Sequence, residues 1–304
     1  MDIKIYNSDF AYLFDNNTQA ESLFADAIWA EGPVWLPYES AVVFSDVKGN
    51  KMFRWSEAAG TEIFRSPSDF ANGNALLHDG TLVTCQHGAR GISHTDKQGN
   101  VTMLVDRYDG HRFNSPNDLV VKSDGSIWFT DPPYGILSND EGYQSASEII
   151  GCYVYCYDPA SQKVSLATFN TMRPNGIFFS PDEKTLYIAD MSGAEFSDGL
   201  HHLVAFDVQG TELSNRRTIC EINPCIPDGF CVDESGLIYC SCGDGVLVIT
   251  PRGDIVAKMI LGKTVSNCTL GGKDQNELFV TATNCLYRIK LNTKGFQYNI
   301  HYGQ

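Results

Sequence analysis

No stretch of this 304-residue chain approaches the about 18 consecutive apolar residues that a membrane-spanning helix needs. Positive charge is also scarce. Lys and Arg total 22 against 37 Asp and Glu, a formal net charge of −15, whereas phosphate binding needs clustered cations. Nucleic acid and membrane are therefore not expected partners, and most of the acidic charge reads as a solvated surface that favours solubility and attracts cations. The amino terminus, Met1-Asp2-Ile3-Lys4-Ile5-Tyr6-Asn7, has no basic region followed by an apolar core. It is not a signal peptide unless the chain has been trimmed, and a cytoplasmic protein is the expectation.

Other absences narrow the chemistry. No long segment repeats its apolar residues at helical spacing between a cap and a stop, which argues against a helical fold. The ten cysteines show no zinc-finger spacing. Cys240, Cys242, Cys152 and Cys156 fall in expected strands, where packed free thiols are the reading, with a disulfide as the alternative. Ser115 and Ser192 sit in no Gly-x-Ser-x-Gly elbow, and the adjacent pair His201-His202 would point to opposite faces of a strand, so neither a serine nucleophile nor a histidine metal pair is expected.

What the chain does have is a repeat. Six short loops lead into apolar strands: Ala30-Glu31-Gly32-Pro33, Ala71-Asn72-Gly73-Asn74, Pro116-Asn117-Asp118, Pro174-Asn175-Gly176, Pro227-Asp228-Gly229 and Ser266-Asn267-Cys268. Positions 31, 72, 117, 175, 228 and 267 lie 41, 45, 58, 53 and 39 residues apart. Each is followed by a turn such as Ser123-Asp124-Gly125 and a second strand such as Ile127-Trp128-Phe129. Periods of about 40 to 50 residues with several strands each specify an all-β fold, a six-bladed β-propeller in one domain over 1–304 with a lead-in of about twenty residues. Residues 20–29 are expected to supply an outer strand that closes the ring against 285–290. The longest excursions, 132–150 and 191–202, are expected to overhang one end of the channel.

Radial blades bring equivalent loops to one mouth of the central channel. The side chains of Glu31, Asn117, Asn175 and Asp228 would then converge, and crowded carboxylates and amides need a cation or a hydrogen-bonding ligand among them. A hard oxygen set with no His or Cys suits Ca²⁺ first, with Mg²⁺, Mn²⁺ or Zn²⁺ as alternatives. Any one of these loops alone reads equally as a turn, since Asn tolerates left-handed backbone and bonds to its own chain. The six-fold register is what favours a site. Asn72 and Asn267, at the same register, would be structural or would support the ligands from behind.

The blocks Glu31-Gly32-Pro33-Val34-Trp35, Ser115-Pro116-Asn117-Asp118-Leu119, Trp128-Phe129-Thr130-Asp131-Pro132-Pro133-Tyr134-Gly135, Arg173-Pro174-Asn175-Gly176 and Pro227-Asp228-Gly229 together resemble the gluconolactonase branch of the SMP-30/gluconolactonase/LRE-like family over roughly residues 25–290. The resemblance implies a divalent-metal-dependent hydrolase of sugar lactones, with Glu31, Asn175 and Asp228 binding the metal and Asn117 near both metal and substrate. Ser115 stands where the mammalian branch has Arg, so that branch's substrate contacts do not transfer intact. On this reading an aldonolactone is opened to an aldonic acid by metal-activated water. Asp228 is the candidate general base, with a ligand-only role as its rival. His87, Arg90, Asp131 and Tyr134 are candidates for binding sugar hydroxyls or the carboxylate product; for His87 and Arg90 an ordinary loop role, and for Asp131 a turn role before two prolines, are the alternatives. The functional alternatives are a lactonase or esterase for hydrophobic lactones and a non-enzymatic propeller that binds a sugar or protein around a structural ion.

Overall fold

Six antiparallel meanders, residues 30–65, 71–105, 119–168, 174–221, 230–260 and 265–290, form the blades of a β-propeller in a computed structural model that describes residues 1–222 and 226–296. The chain alternates apolar strands with turns at Asp, Asn and Gly, and each strand pairs with the next in sequence, as the repeat predicts. Ala20–Phe24 pairs with Cys285–Lys290, so the sixth blade is completed from both ends of the chain and closes the ring. The lead-in does more than the sequence predicts. Asp2–Ile5 pairs with Ile255–Ile260 and adds a fifth strand to the fifth blade. Four residues without a flanking turn carry no signal of a partner some 250 positions away.

The core sits between blades. Phe279 of the sixth blade stacks on Trp35 of the first, ring centroids 5.6 Å apart, and Phe113, Phe129 and Tyr155 pack together where the second and third blades meet. Nine cysteines are buried free thiols; the tenth, Cys225, lies outside the described residues. Cys152 precedes its strand, Tyr153–Asp158, rather than lying within it. Among the described residues no helix is long and apolar enough to cross a membrane.

A ring of hydrogen bonds ties the innermost strands together near one mouth. Asn74 Nδ2 donates to Gly32 O (2.9 Å), Gly73 N to Asn117 O (2.8 Å) and Thr130 Oγ1 to Asn175 O (2.8 Å). Gly176 N donates to Asp228 O (3.2 Å), Gly229 N to Ser266 O (2.6 Å) and Ser266 Oγ to Ala30 O (2.6 Å), which returns to the first blade. Every one of these bonds involves a residue at or beside an aligned position.

Candidate active site at the channel mouth

Each aligned residue opens the innermost strand of its blade, and local irregularity aims it. The pairing slips between Glu31 and Val34, Ala71 and Asn74, Pro174 and Ile177, and Val265 and Asn267. Such bulges re-aim side chains out of the regular alternation. In the first four blades the last residue of the second strand then clamps the loop beside it. Asp46 accepts the amides of Ile28 and Trp29, Asp131 those of Asn114 and Ser115, and Asp190 those of Met172, Arg173 and Ser192. Gln86 does the equivalent by donating to Ser68 O. Glycine after the aligned residue lets the loops approach: a Cβ on Gly176 would lie 2.4 Å from Asp228 O, and one on Gly229 2.0 Å from the Asn267 side chain.

Three carboxylates feel one another's charge here, those of buried Glu31 and Asp118 and of half-buried Asp228. Burial, then the charges of Asp228 and Asp118, pushes Glu31 well above the carboxylate range. Burial, then Asp118 and Glu141, does the same to Asp228. Asp118 is pushed up to about 7, chiefly by burial. The Asn267 amide donates to Asp118 Oδ2 at 3.2 Å, while Gly32 N donates to Glu31 Oε2 at 3.0 Å. Asp228 is held by its own backbone, whose N–H donates to Ser241 Oγ at 2.8 Å. Its Oδ1 is buried with no hydrogen-bond partner, and so is the Tyr134 hydroxyl, which burial and then the Asp228 charge keep protonated.

The remaining sequence candidates divide. Asn175 Nδ2 meets Met191 Sδ at 2.8 Å, which leaves Oδ1 as its remaining acceptor, and the Asn117 backbone is fixed to Thr130 and Gly73. His87 and Asp131, candidates for touching substrate, are occupied with protein, whereas Arg90 is held by protein but keeps a buried Nη2 without a partner. His87 is 1% exposed; its Nε2 lies 3.2 Å from Asn72 Nδ2 and its Nδ1 3.1 Å from Glu141 O. The partners set the tautomer: Nε2 accepts and Nδ1–H donates, so the ring is neutral, and burial lowers its pKa to about 4. Arg90 donates through Nε to Phe113 O and Asn114 O and through Nη1 to Ser145 Oγ. Asp131 is 0% exposed, with both oxygens taken by backbone amides. The loop and turn roles weighed against substrate contact are what these bonds describe. Ser115 Oγ is likewise structural, donating to Pro132 O and accepting from Gly135 N.

Sequence reasoning passed over Asp118, and the signal was present. It occupies the register position that is Gly32, Gly73, Gly176 and Gly229 in four other blades, so the third blade sends in a side chain where those four are open. The overhanging excursions do reach this mouth. Segment 132–151 brings Tyr134 toward Asp228 and Glu141 to His87, and the turn at 191–195 brings Met191 to Asn175 and Glu195 to Arg173.

A divalent cation fits this donor set. Asp228 Oδ1 lacks any partner, the buried carboxylates oppose each other's ionisation, and the neighbouring donors are amide oxygens. Among the described residues no group of three or more His, Cys, Asp or Glu is arranged to hold a metal. The expected set has only Glu31 and Asp228 of those types, with Asn117 and Asn175 completing it.

Comparison with known proteins gives a consistent picture. The family described as SMP-30/Gluconolactonase/LRE-like region matches residues 29–284. A gluconolactonase of Zymomonas mobilis subsp. mobilis is 30% identical over 310 residues, covering 93% of this chain and 84% of that protein. The structure of a gluconolactonase from Xanthomonas campestris superimposes with a TM-score of 0.89 at 34% identity, covering 95% of this chain and 94% of that one. The calcium-binding protein regucalcin from Agrobacterium tumefaciens shares the fold, with a TM-score of 0.76 at 16% identity over 92% of this chain and 96% of that one.

Proposed function

The chain belongs to the SMP-30/gluconolactonase/LRE-like family, and from that premise and the geometry of the mouth we propose that it hydrolyses a sugar lactone, an aldonolactone to its aldonic acid. The observation that carries the reading is the buried, unpartnered Oδ1 of Asp228. A free carboxylate acceptor suits a reaction that removes a proton from water. The gluconolactonases similar to this chain over nearly its whole length support the substrate class.

Glu31, Asn175 and Asp228 would hold a divalent cation, calcium first among the choices, with Asn117 beside it and facing substrate. When bound, such a cation would polarise the lactone carbonyl as a Lewis acid and supply the positive charge that lets the buried carboxylates ionise together. Asp228 accepts a proton from the attacking water as its oxygen bonds to the carbonyl carbon. The same proton passes to the ring oxygen as the carbon–oxygen bond of the ring breaks, and the acid product ionises on release. Asn267, bonded to Asp118, fixes the floor beneath.

Acid release from glucono-1,5-lactone tests this, using chelator-stripped protein with each divalent ion restored in turn and Asp228→Ala as control. Ion-dependent turnover that the substitution removes is the expected result. Tight ion binding with no turnover of this or of an apolar lactone would support instead a propeller that binds a sugar or protein.

A further inference from the structure

Two loop residues at this mouth occupy the same place in their blades and make the same kind of bond. His87 follows Gln86, the last residue of the second strand of the second blade, and Met191 follows Asp190, the last residue of the second strand of the fourth. His87 Nε2 lies 3.2 Å from Nδ2 of Asn72, the aligned residue of its own blade. Met191 Sδ lies 2.8 Å from Nδ2 of Asn175, the aligned residue of the other. In the first and third blades that place belongs to Val47 and Pro132, whose side chains have nothing to accept with.

A primary amide has a donor end and an acceptor end, and its surroundings decide which way it turns. A thioether carries no hydrogen, so Met191 can accept from Asn175 but cannot donate to it. The nitrogen is therefore the end that faces the sulfur. Oδ1 is the end turned away, with no hydrogen-bond partner among the described residues. Sulfur is also a poor ligand for a hard cation, so it can orient the amide without competing for an ion that oxygens bind.

The sulfur is held in place before anything binds. Met191 N donates to Arg173 O at 3.1 Å, and Met191 O accepts from Ala194 N at 3.0 Å. Arg173 staples the far side of the same turn, through Nε to Glu195 Oε2 at 2.8 Å and through the Phe196 ring, whose centroid lies 4.9 Å from Cζ. The Asn175 carbonyl accepts from Thr130 Oγ1 at 2.8 Å. Both ends of the contact between Nδ2 and Sδ thus ride on bonded backbone.

We propose that Met191 is a positioning residue for the divalent ion: its thioether holds the Nδ2 end of Asn175 and so presents Oδ1 to the ion. The assignment rests on the ion site of the lactonase reading and extends that site to a side chain that acts through Asn175.

Calorimetric titration of Ca²⁺, Mg²⁺, Mn²⁺ and Zn²⁺ into chelator-stripped wild type identifies the tightest ion, which is then titrated into Met191→Leu, Met191→Gln, Asn175→Ala and the double variant Asn175→Ala/Met191→Leu. Met191→Leu, close to Met in volume, should weaken the ion by about tenfold or more, the usual cost of losing a group that orients a ligand. Met191→Gln offers an acceptor oxygen at similar reach and should recover part of the loss. Asn175→Ala should also weaken the ion, and adding Met191→Leu to it should cost nothing further, because the sulfur then has no amide to hold. A turn that mattered only for structure would cost the same in both backgrounds, and that result would overturn the proposal. A Met191→Leu variant that binds as tightly as wild type, beside a weakened Asn175→Ala, would overturn it while leaving the ion site standing. A wild type that binds none of the four ions would overturn the ion site and this proposal together.

Discussion

Asn267 of the sixth blade donates to Asp118 of the third, at 3.2 Å, across the axis of the propeller. The two blades lie on opposite sides of the ring, so the bond floors the polar mouth. Beneath it is a cavity of about 120 Å³ whose lining turns apolar, with Val34, Leu76, Val121, Phe178, Phe230 and Leu270. The same side chain accepts from Cys268 N through Oδ1 at 2.8 Å, so both ends of the amide are committed.

Replacing Asn267 therefore costs more than one hydrogen bond. Asn267→Ala leaves the buried Asp118 carboxylate short of a donor and Cys268 N short of an acceptor, and should destabilise the chelated protein by about 1–3 kcal/mol. Asn267→Asp should be worse, since it adds a further acid to the cluster. Guanidinium unfolding checks the order; an aspartate variant as stable as wild type would show that the bond to Asp118 does not hold the floor.

The chelated protein should lose stability as pH rises from about 4 to about 7. Asp118 has its folded pKa raised to about 7 by burial, so the folded state holds a proton that the unfolded chain has released, and the benefit fades as pH passes through the folded value. Asp118→Asn should flatten that fall, and adding a divalent ion should oppose it. Thermal midpoints across the range, with and without chelator, give the comparison; parallel curves for wild type and Asp118→Asn would contradict it.

His87 contributes a slope of opposite sign. Its folded pKa is lowered to about 4 by burial, so the unfolded chain binds the extra proton and stability falls as pH drops from about 6.5 toward 4. His87→Leu should remove that acid-side loss while costing about 1–3 kcal/mol at neutral pH, because Asn72 Nδ2 and Glu141 O lose their partner. Unfolding free energies at pH 5 and 7 for both proteins decide it. An unchanged difference between the two pH values would count against a buried neutral ring.

Gly229 is fixed by what faces it. A Cβ there would lie 2.0 Å from Cγ of Asn267, so Gly229→Ala must displace the amide that is bonded to Asp118. The expected cost is about 1–3 kcal/mol of stability from overpacking, together with weaker ion binding. Unaltered ion affinity by calorimetry would mean the floor tolerates the shift.

The repeat made the six blades legible, because strands recurring at a fixed spacing have few other ways to bury their faces. Closure by residues 20–24 followed from the same logic. The tasks of His87, Arg90 and Asp131 were hidden, since a loop side chain that faces substrate and one that clamps a neighbouring backbone have the same composition. Asp118 was readable only by asking which register position broke the glycine pattern. Arg173 and Glu195 meet through a fold of the 191–199 segment that no periodicity announces.

The central claim is that Asp228 carries out ion-dependent lactone hydrolysis at this mouth, and the direct test is kcat/KM for glucono-1,5-lactone with wild type and Asp228→Asn in the same saturating ion. The account predicts a fall of about a thousandfold, in the range for loss of a general base, in a variant that still unfolds cooperatively. A variant within tenfold of wild type would contradict it.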